Sequence, residues 1–257
     1  MIARFLDLVA KGWRYSLAVL AEPPQIPFLA WSSAAWSAHL GELLKLNAQR
    51  KWLQAANIRT VVDVGANAGQ FASAIRCFVP EAQSYWFEPL PDCYEKLCHR
   101  LAKRGRFEGF CTAVGADNRE VTFWRSEFAK SSSVLSMTEL HKEAFPWSKG
   151  AKEFKVPQCR LDDCLDKMQL APNVLLKIDV QGYELEVLLG AQRLLQRVNY
   201  VLVETSFHKL YQGQALFHQI YEQMRGEGFV YAGNFEQLLS PLDGAILQAD
   251  SLFVRQL

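Results

Sequence analysis

The stretch VVDVGANAGQF at residues 61–71 decides how the chain is read. Val61, Val62 and Val64 make a β-branched run, and Gly65 and Gly69 follow in a turn that opens a helix from about Gln70. Glycines lack Cβ atoms, so a ligand can approach the backbone closely at such a strand-to-helix turn. Asp63 stands two residues before the first glycine. That position suits a pocket for an amino-acid moiety with a positive charge rather than one for a pyrophosphate. The next strand, SYWFE at 84–88, ends on Glu88, 25 residues after Asp63. An acid there can accept hydrogen bonds from both hydroxyls of a ribose. Turn and acid together predict a nucleoside-containing cofactor. The nicotinamide fingerprint is GxGxxG, whereas the spacing here is Gly65-x-x-x-Gly69.

Outward from this turn the chain alternates strand and helix. Apolar runs recur as TVVDV at 60–64, SYWFE at 84–88, FCTAV at 110–114, NVLLKID at 173–179 and YVLVE at 200–204. Helical spacing separates them, with Leu185, Leu188, Leu189, Gln192 and Leu195 on one segment and Phe217, Ile220, Tyr221 and Met224 on another. Such alternation predicts an α/β fold with a mostly parallel sheet and helices on both faces. FVYAG at 229–233 and AILQADSLFVR at 245–255 are expected to close the sheet. The interval at about 115–172 is too long for one crossover helix. It carries expected strands at EVTFW (120–124) and EFKVPQCRL (153–161), and a serine-rich turn at SSSVLS (131–136). An insertion leaving the carboxyl end of a strand can wall a pocket, so it is read as shaping the substrate site.

The 257 residues are half hydrophobic and 21% charged, which excludes a disordered chain or a collagen-like repeat. Lys plus Arg number 28 and Asp plus Glu 27, a formal charge of +1 that gives no reason to expect a nucleic-acid partner. Six cysteines with no CxxC step and no secretory signal ahead of them are expected to be reduced thiols in a cytoplasmic protein.

Residues 1–56 differ in character and are expected to form a helical extension. Ile2, Phe5, Leu6, Val9, Trp13, Leu17 and Leu20 repeat at helical spacing as far as Pro23 and Pro24. A second helical stretch covers about Ala34 to Ala55. Packing on the main domain is the reading adopted for both. The alternative is a surface helix resting on a membrane interface.

The motifs in order resemble one family. VVDVGANAGQF, WFEP at 86–89, AVGADNREVTF at 113–123, SSSVLS, LDD at 161–163, LLKIDVQGYELEVLLGA at 175–191, VET at 203–205 and the terminal LQADSLFVR are similar to the FkbM family of S-adenosylmethionine-dependent methyltransferases. The resemblance covers roughly residues 57–257. It implies a class I methyltransferase fold, Rossmann-like, with a seven-stranded sheet whose last strand is antiparallel. It also implies O-methylation of a hydroxyl on a sugar, glycolipid or polyketide-like acceptor. By the same resemblance Asp63, Gly65, Asn67 and Gly69 line the methionine end of the cofactor, Glu88 binds the ribose, and Ala113 and Val114 lie beside the adenine. The family's common form has Glu where this chain has Gln181.

A sugar hydroxyl is a poor nucleophile at neutral pH, so a positioned base is expected. Asp179 is the candidate, because it ends the fourth strand in the central part of the sheet. Lys177 stands two residues earlier on the same strand face, where an ion pair would keep Asp179 ionised. Lys177, Glu184, Glu204 and Ser132 are second-line candidates for contact with the acceptor. Asp179, Glu204 and His208 converging on a divalent cation is an alternative that is not adopted. Two other functions compete. One is a nicotinamide-dependent oxidoreductase, and the other a catalytically silent cofactor-binding scaffold.

Overall fold

The computed structural model describes residues 33–102 and 107–256. The amphipathic stretch that ends before Pro23 lies outside them. Two helices come first, α1 (Ser33–Ala48) and α2 (Arg50–Ala56), so the single helix expected over Ala34 to Ala55 is interrupted at Gln49. Strand β1 (Thr60–Val64) leads into α3 (Gln70–Ile75), then β2 (Gln83–Phe87), α4 (Pro91–Leu101) and β3 (Phe107–Phe110). The inserted region carries β4 (Ala113–Val114), β5 (Arg119–Ser126), α5 (Glu139–Ala144) and β6 (Ala151–Cys159). The chain then returns through β7 (Val174–Ile178), α6 (Glu184–Leu189), α7 (Gln192–Leu195), β8 (Tyr200–Ser206), α8 (Phe217–Gly226), β9 (Phe229–Leu239) and β10 (Ile246–Arg255).

The main sheet has seven strands in the order β3-β2-β1-β7-β8-β10-β9. β1, β2, β3, β7 and β8 are parallel, and β10 runs antiparallel to both β8 and β9. This is the α/β architecture with an antiparallel last strand that the motif series implies. Side chains alternate between the faces, as strand geometry requires. Val62, Val64, Leu176, Ile178, Val201 and Val203 pack on one face with Val187, Leu194, Ile220 and Met224 of α6 to α8. Val61, Trp86, Leu175 and Leu202 pack on the other with Leu43, Leu46, Leu53, Phe71, Ile75 and Leu97 of α1 to α4. The described part of the N-terminal extension is thus built into the second core layer.

Two expectations are corrected. FCTAV does not form one strand: Phe110 ends β3, while Ala113 and Val114 pair with β6 in a separate three-stranded sheet ordered β4-β6-β5. An unbroken apolar run cannot show where the chain leaves one sheet for another. The segment from Leu185 to Leu195 is likewise two short helices, broken at Gly190 and Ala191.

Candidate active site

The carboxyl ends of β1, β2 and β7 open into a cavity of about 430 Å³, with Gly65, Glu88 and Asp179 in its wall. The turn after β1 is shaped by three residues at positive φ: Gly65 (+85°), Asn67 (+49°) and Gly69 (+78°). A Cβ on Gly65 would stand 1.9 Å from the carbonyl oxygen of Asp179, so only glycine lets the two strand ends come together. Gly65 and Ala66 donate backbone N–H groups to the carbonyl of Phe87, which ties the turn to β2. Gly69 serves the turn from behind. It precedes α3, its missing Cβ makes room for Leu97 of α4, and it is not among the lining residues.

Glu88 is buried at the cavity edge. Its Oε2 accepts from the Asn67 backbone at 2.8 Å, and its Oε1 from Leu90 at 2.9 Å. Burial pushes its carboxyl up to about 7 despite these two donors. A carboxylate has about four acceptor positions, so two remain for ligand hydroxyls. Asn67, Ala113 and Val114 also line the cavity.

Asp63 is fully buried and lies behind the wall rather than in it. The β1–β7 register sets it beside Lys177. Lys177 Nζ stands 3.4 Å from Asp63 Oδ1 and 3.2 Å from Asp179 Oδ2, so one ammonium serves two carboxylates. Burial pushes Asp63 up to about 6, while its own carboxylate partners push Lys177 above its ordinary value against the effect of burial. Burial also opposes the charge on Asp179, but Lys177 and a hydrogen bond from Gln181 hold that carboxyl below its usual range. Asp179 is part-exposed, with a third of its side chain open to the cavity. Position and charge both fit an ionised acceptor of a proton.

The other candidates divide. Glu204 lines the cavity and accepts from Gln181 at 2.8 Å and Gln248 at 2.7 Å; burial, then Asp179, raise it well above the ordinary carboxyl value. Ser132 also lines it, although its hydroxyl accepts from the Ser126 backbone. Glu184 is not in the wall. Its Oε1 accepts from the backbone of Val180 and Gly182, so it secures the loop after β7. His208 is exposed and outside the wall, and no group of three or more His, Cys, Asp or Glu among the described residues is arranged to hold a metal.

Several wall residues escaped the sequence reading. Lys45 of α1 reaches Asp250 at 2.7 Å, Glu236 at 2.9 Å and Glu42 at 3.4 Å, which fastens the N-terminal helices to β9 and β10 beside the cavity. His141, Phe145 and Trp147 come from the insertion. Trp147 and Phe128 are about half exposed at the mouth, as an apolar platform for a ring would be. The ring nitrogens of His141 have no protein partner, and burial depresses that imidazole to about 4. Helical spacing and a lone histidine carried no signal for these roles.

A family model described as "Methyltransferase FkbM domain" matches residues 63–231, more than half of the chain. The chain is 27% identical over 161 residues to "2-O-methyltransferase NoeI" of Sinorhizobium fredii, covering 60% of this chain and 66% of that protein. It is 27% identical over 143 residues to "Hexuronic acid methyltransferase AglP" of Haloferax volcanii, covering 55% of this chain and 54% of the relative. The chain therefore spans less than two thirds of the length of either relative. Among solved structures, magnesium protoporphyrin IX methyltransferase (ChlM) from Synechocystis with bound SAM aligns with a TM-score of 0.45 at 12% identity, covering 89% of this chain and 87% of that one.

Proposed function

The chain belongs to the FkbM methyltransferase family, and from that premise we propose that it is an S-adenosylmethionine-dependent O-methyltransferase acting on a hydroxyl of a sugar-containing acceptor. The observation that carries the reading is the sharing of one cavity by the glycine turn, Glu88 and Asp179. The names of the two relatives, a 2-O-methyltransferase and a hexuronic acid methyltransferase, support a sugar hydroxyl as the acceptor.

The residues fit the cofactor. The glycine turn in the cavity wall and the free acceptor positions of Glu88 suit a nucleoside and its amino-acid arm. Gly65 and Asn67 would hold the methionine end, Glu88 the ribose, and Ala113 and Val114 the adenine. Asp63 acts indirectly, through Lys177. When bound, the cofactor supplies an electrophilic methyl group on a sulfonium, a good leaving group.

Asp179 takes the proton from the acceptor hydroxyl as the oxygen is methylated. Lys177 keeps that carboxylate charged. General-base help of this kind typically adds about 10² to 10⁴ in rate, and alignment of the reactants can contribute about 7 to 11 kcal/mol. Phe128 and Trp147 offer the acceptor ring an apolar face at the mouth.

All six cysteines are free thiols, which supports action in the cytoplasm. No helix among the described residues is long and apolar enough to cross a membrane. The test is incubation with S-adenosylmethionine labelled in its methyl group and fractionated glycans from the source. Alkali-stable label in a sugar fraction is expected, with calorimetry showing far tighter binding of S-adenosylmethionine than of NAD. Equal or tighter NAD binding would overturn the reading.

A further inference from the structure

Gln181 is the residue on which the polar side of the cavity converges. Its Nε2 donates to Asp179 Oδ1 at 2.9 Å and to Glu204 Oε2 at 2.8 Å, and its Oε1 accepts from the Tyr211 hydroxyl at 2.9 Å. The amide thus spends its two N–H groups on two different carboxylates. Its backbone is fixed as well, with φ at +59° and the carbonyl accepting from Ser133 Oγ at 2.7 Å. A non-glycine residue at such a φ carries strain and persists only where its surroundings hold it there. From β10, Gln248 donates to the same Glu204 oxygen at 2.7 Å and buttresses the bridge.

Two carboxylates facing one small space repel unless a cation, a shared proton or a neutral donor lies between them. A side-chain amide is a donor at every pH. We propose that Gln181 is a positioning residue: its amide stands where a shared proton or cation would otherwise be needed, joins Asp179 to Glu204 independently of pH, and sets the direction in which Asp179 faces the acceptor. For its catalytic meaning the inference rests on the reading of Asp179 as the base.

The groups that face the bridge come from every element packed against it. They are Asp63 on β1, Lys177 and Asp179 from β7, Glu184 at the start of α6, Glu204 on β8 and Tyr211 after it, Asp250 on β10, and Glu42 and Lys45 from α1. His141 of α5 stacks edge-on against Tyr211, and burial keeps it neutral. The two cations in this set already meet carboxylates, Lys177 those of Asp63 and Asp179, and Lys45 those of Glu42, Glu236 and Asp250. An added carboxylate at position 181 would therefore enter a site whose facing cations are engaged. Protonated, it would have one O–H and could donate to only one of the two carboxylates; ionised, it could donate to neither.

Gln181→Glu keeps the size of the side chain and makes the bridge depend on a proton, whereas Gln181→Met removes both donors. The unfolding temperature of the full chain is measured from about pH 5 to about pH 9 for wild type and both variants. The Glu variant should lie nearest to wild type at the acid end and fall progressively further below it as pH rises. The reason is that its folded state retains a proton which the unfolded glutamate has released. The Met variant should lie below wild type throughout. Label transfer from S-adenosylmethionine to the fractionated glycans should follow the same divergence, the Glu variant losing about tenfold or more relative to wild type between the two ends. Parallel curves for the Glu variant and wild type, or a deficit of the same size at every pH, would overturn the inference. Near-normal transfer by Asp179→Asn alongside diverging unfolding curves would remove the base and leave the bridge in place.

Discussion

The carbonyl oxygen of Asp179 occupies the space beside Gly65, where a side-chain carbon would stand only 1.9 Å from it. The cofactor turn and the candidate base are therefore parts of one rigid contact between β1 and β7. Gly65→Ala has to part the two strand ends and also places alanine at a φ of +85°. The expected loss is at least about 2 kcal/mol of stability, together with cofactor binding. Thermal unfolding with and without S-adenosylhomocysteine checks it, and a variant that still gains stability from the ligand would argue against the close approach.

With Glu88 as the proposed ribose acceptor, cofactor affinity should depend on pH. Its carboxyl is raised to about 7 by burial, so the free protein is part-protonated at neutral pH. The ionised form is the stronger acceptor for ribose hydroxyls. Affinity for S-adenosylhomocysteine should rise from about pH 6 to about pH 8, with release of a proton on binding. Calorimetry in buffers of different ionisation enthalpy measures that proton. Glu88→Gln should weaken binding by about 1.5 to 3 kcal/mol and flatten the dependence; an unchanged slope would move the titration to another group.

Lys177→Met leaves Asp63 and Asp179 without their shared cation. Breaking a buried pair in this way costs about 3 to 5 kcal/mol. The sign with pH follows from the carboxylates. The stability that Asp179 gains from its lowered pKa is present above the ordinary carboxyl value and disappears as pH falls. Asp63, raised to about 6, already favours its proton below that pH. The deficit of the variant should be widest near neutrality and shrink below about pH 6. Denaturant melts at several pH values provide the comparison, and a deficit that grew toward acid would refute the assignment.

Lys45→Met should loosen the N-terminal helices from β9 and β10. Three carboxylates, Glu42, Glu236 and Asp250, would then face one another without their ammonium. We expect a loss of about 1 to 3 kcal/mol. Hydrogen exchange should rise first in α1 and in the β9–β10 pair, and uniform protection across them would speak against the clasp.

The parts legible in the sequence were those written in local pattern. Short apolar, β-branched runs and the glycine turn located β1, β2, β7 and β8, and strand ends pointed to Glu88 and Asp179 as candidates. What escaped was contact between distant residues. Lys45 and Asp250 are 205 positions apart, and Gln181 meets Tyr211 only because the loops after β7 and β8 come together in the fold. For Asp63 and Glu184 the sequence reading is ligand contact, because position in the sequence does not tell whether a carboxylate meets a ligand or another part of the protein. Burial distinguishes the two cases, and pattern does not report it.

The most direct measurement compares wild type with Asp179→Asn in kcat for label transfer to the sugar fraction, together with the affinity of each for S-adenosylhomocysteine. The asparagine keeps the size of the side chain and removes the base. A fall in kcat of about 10² or more with cofactor affinity nearly unchanged is the predicted result. Near-normal turnover by the asparagine variant would contradict it.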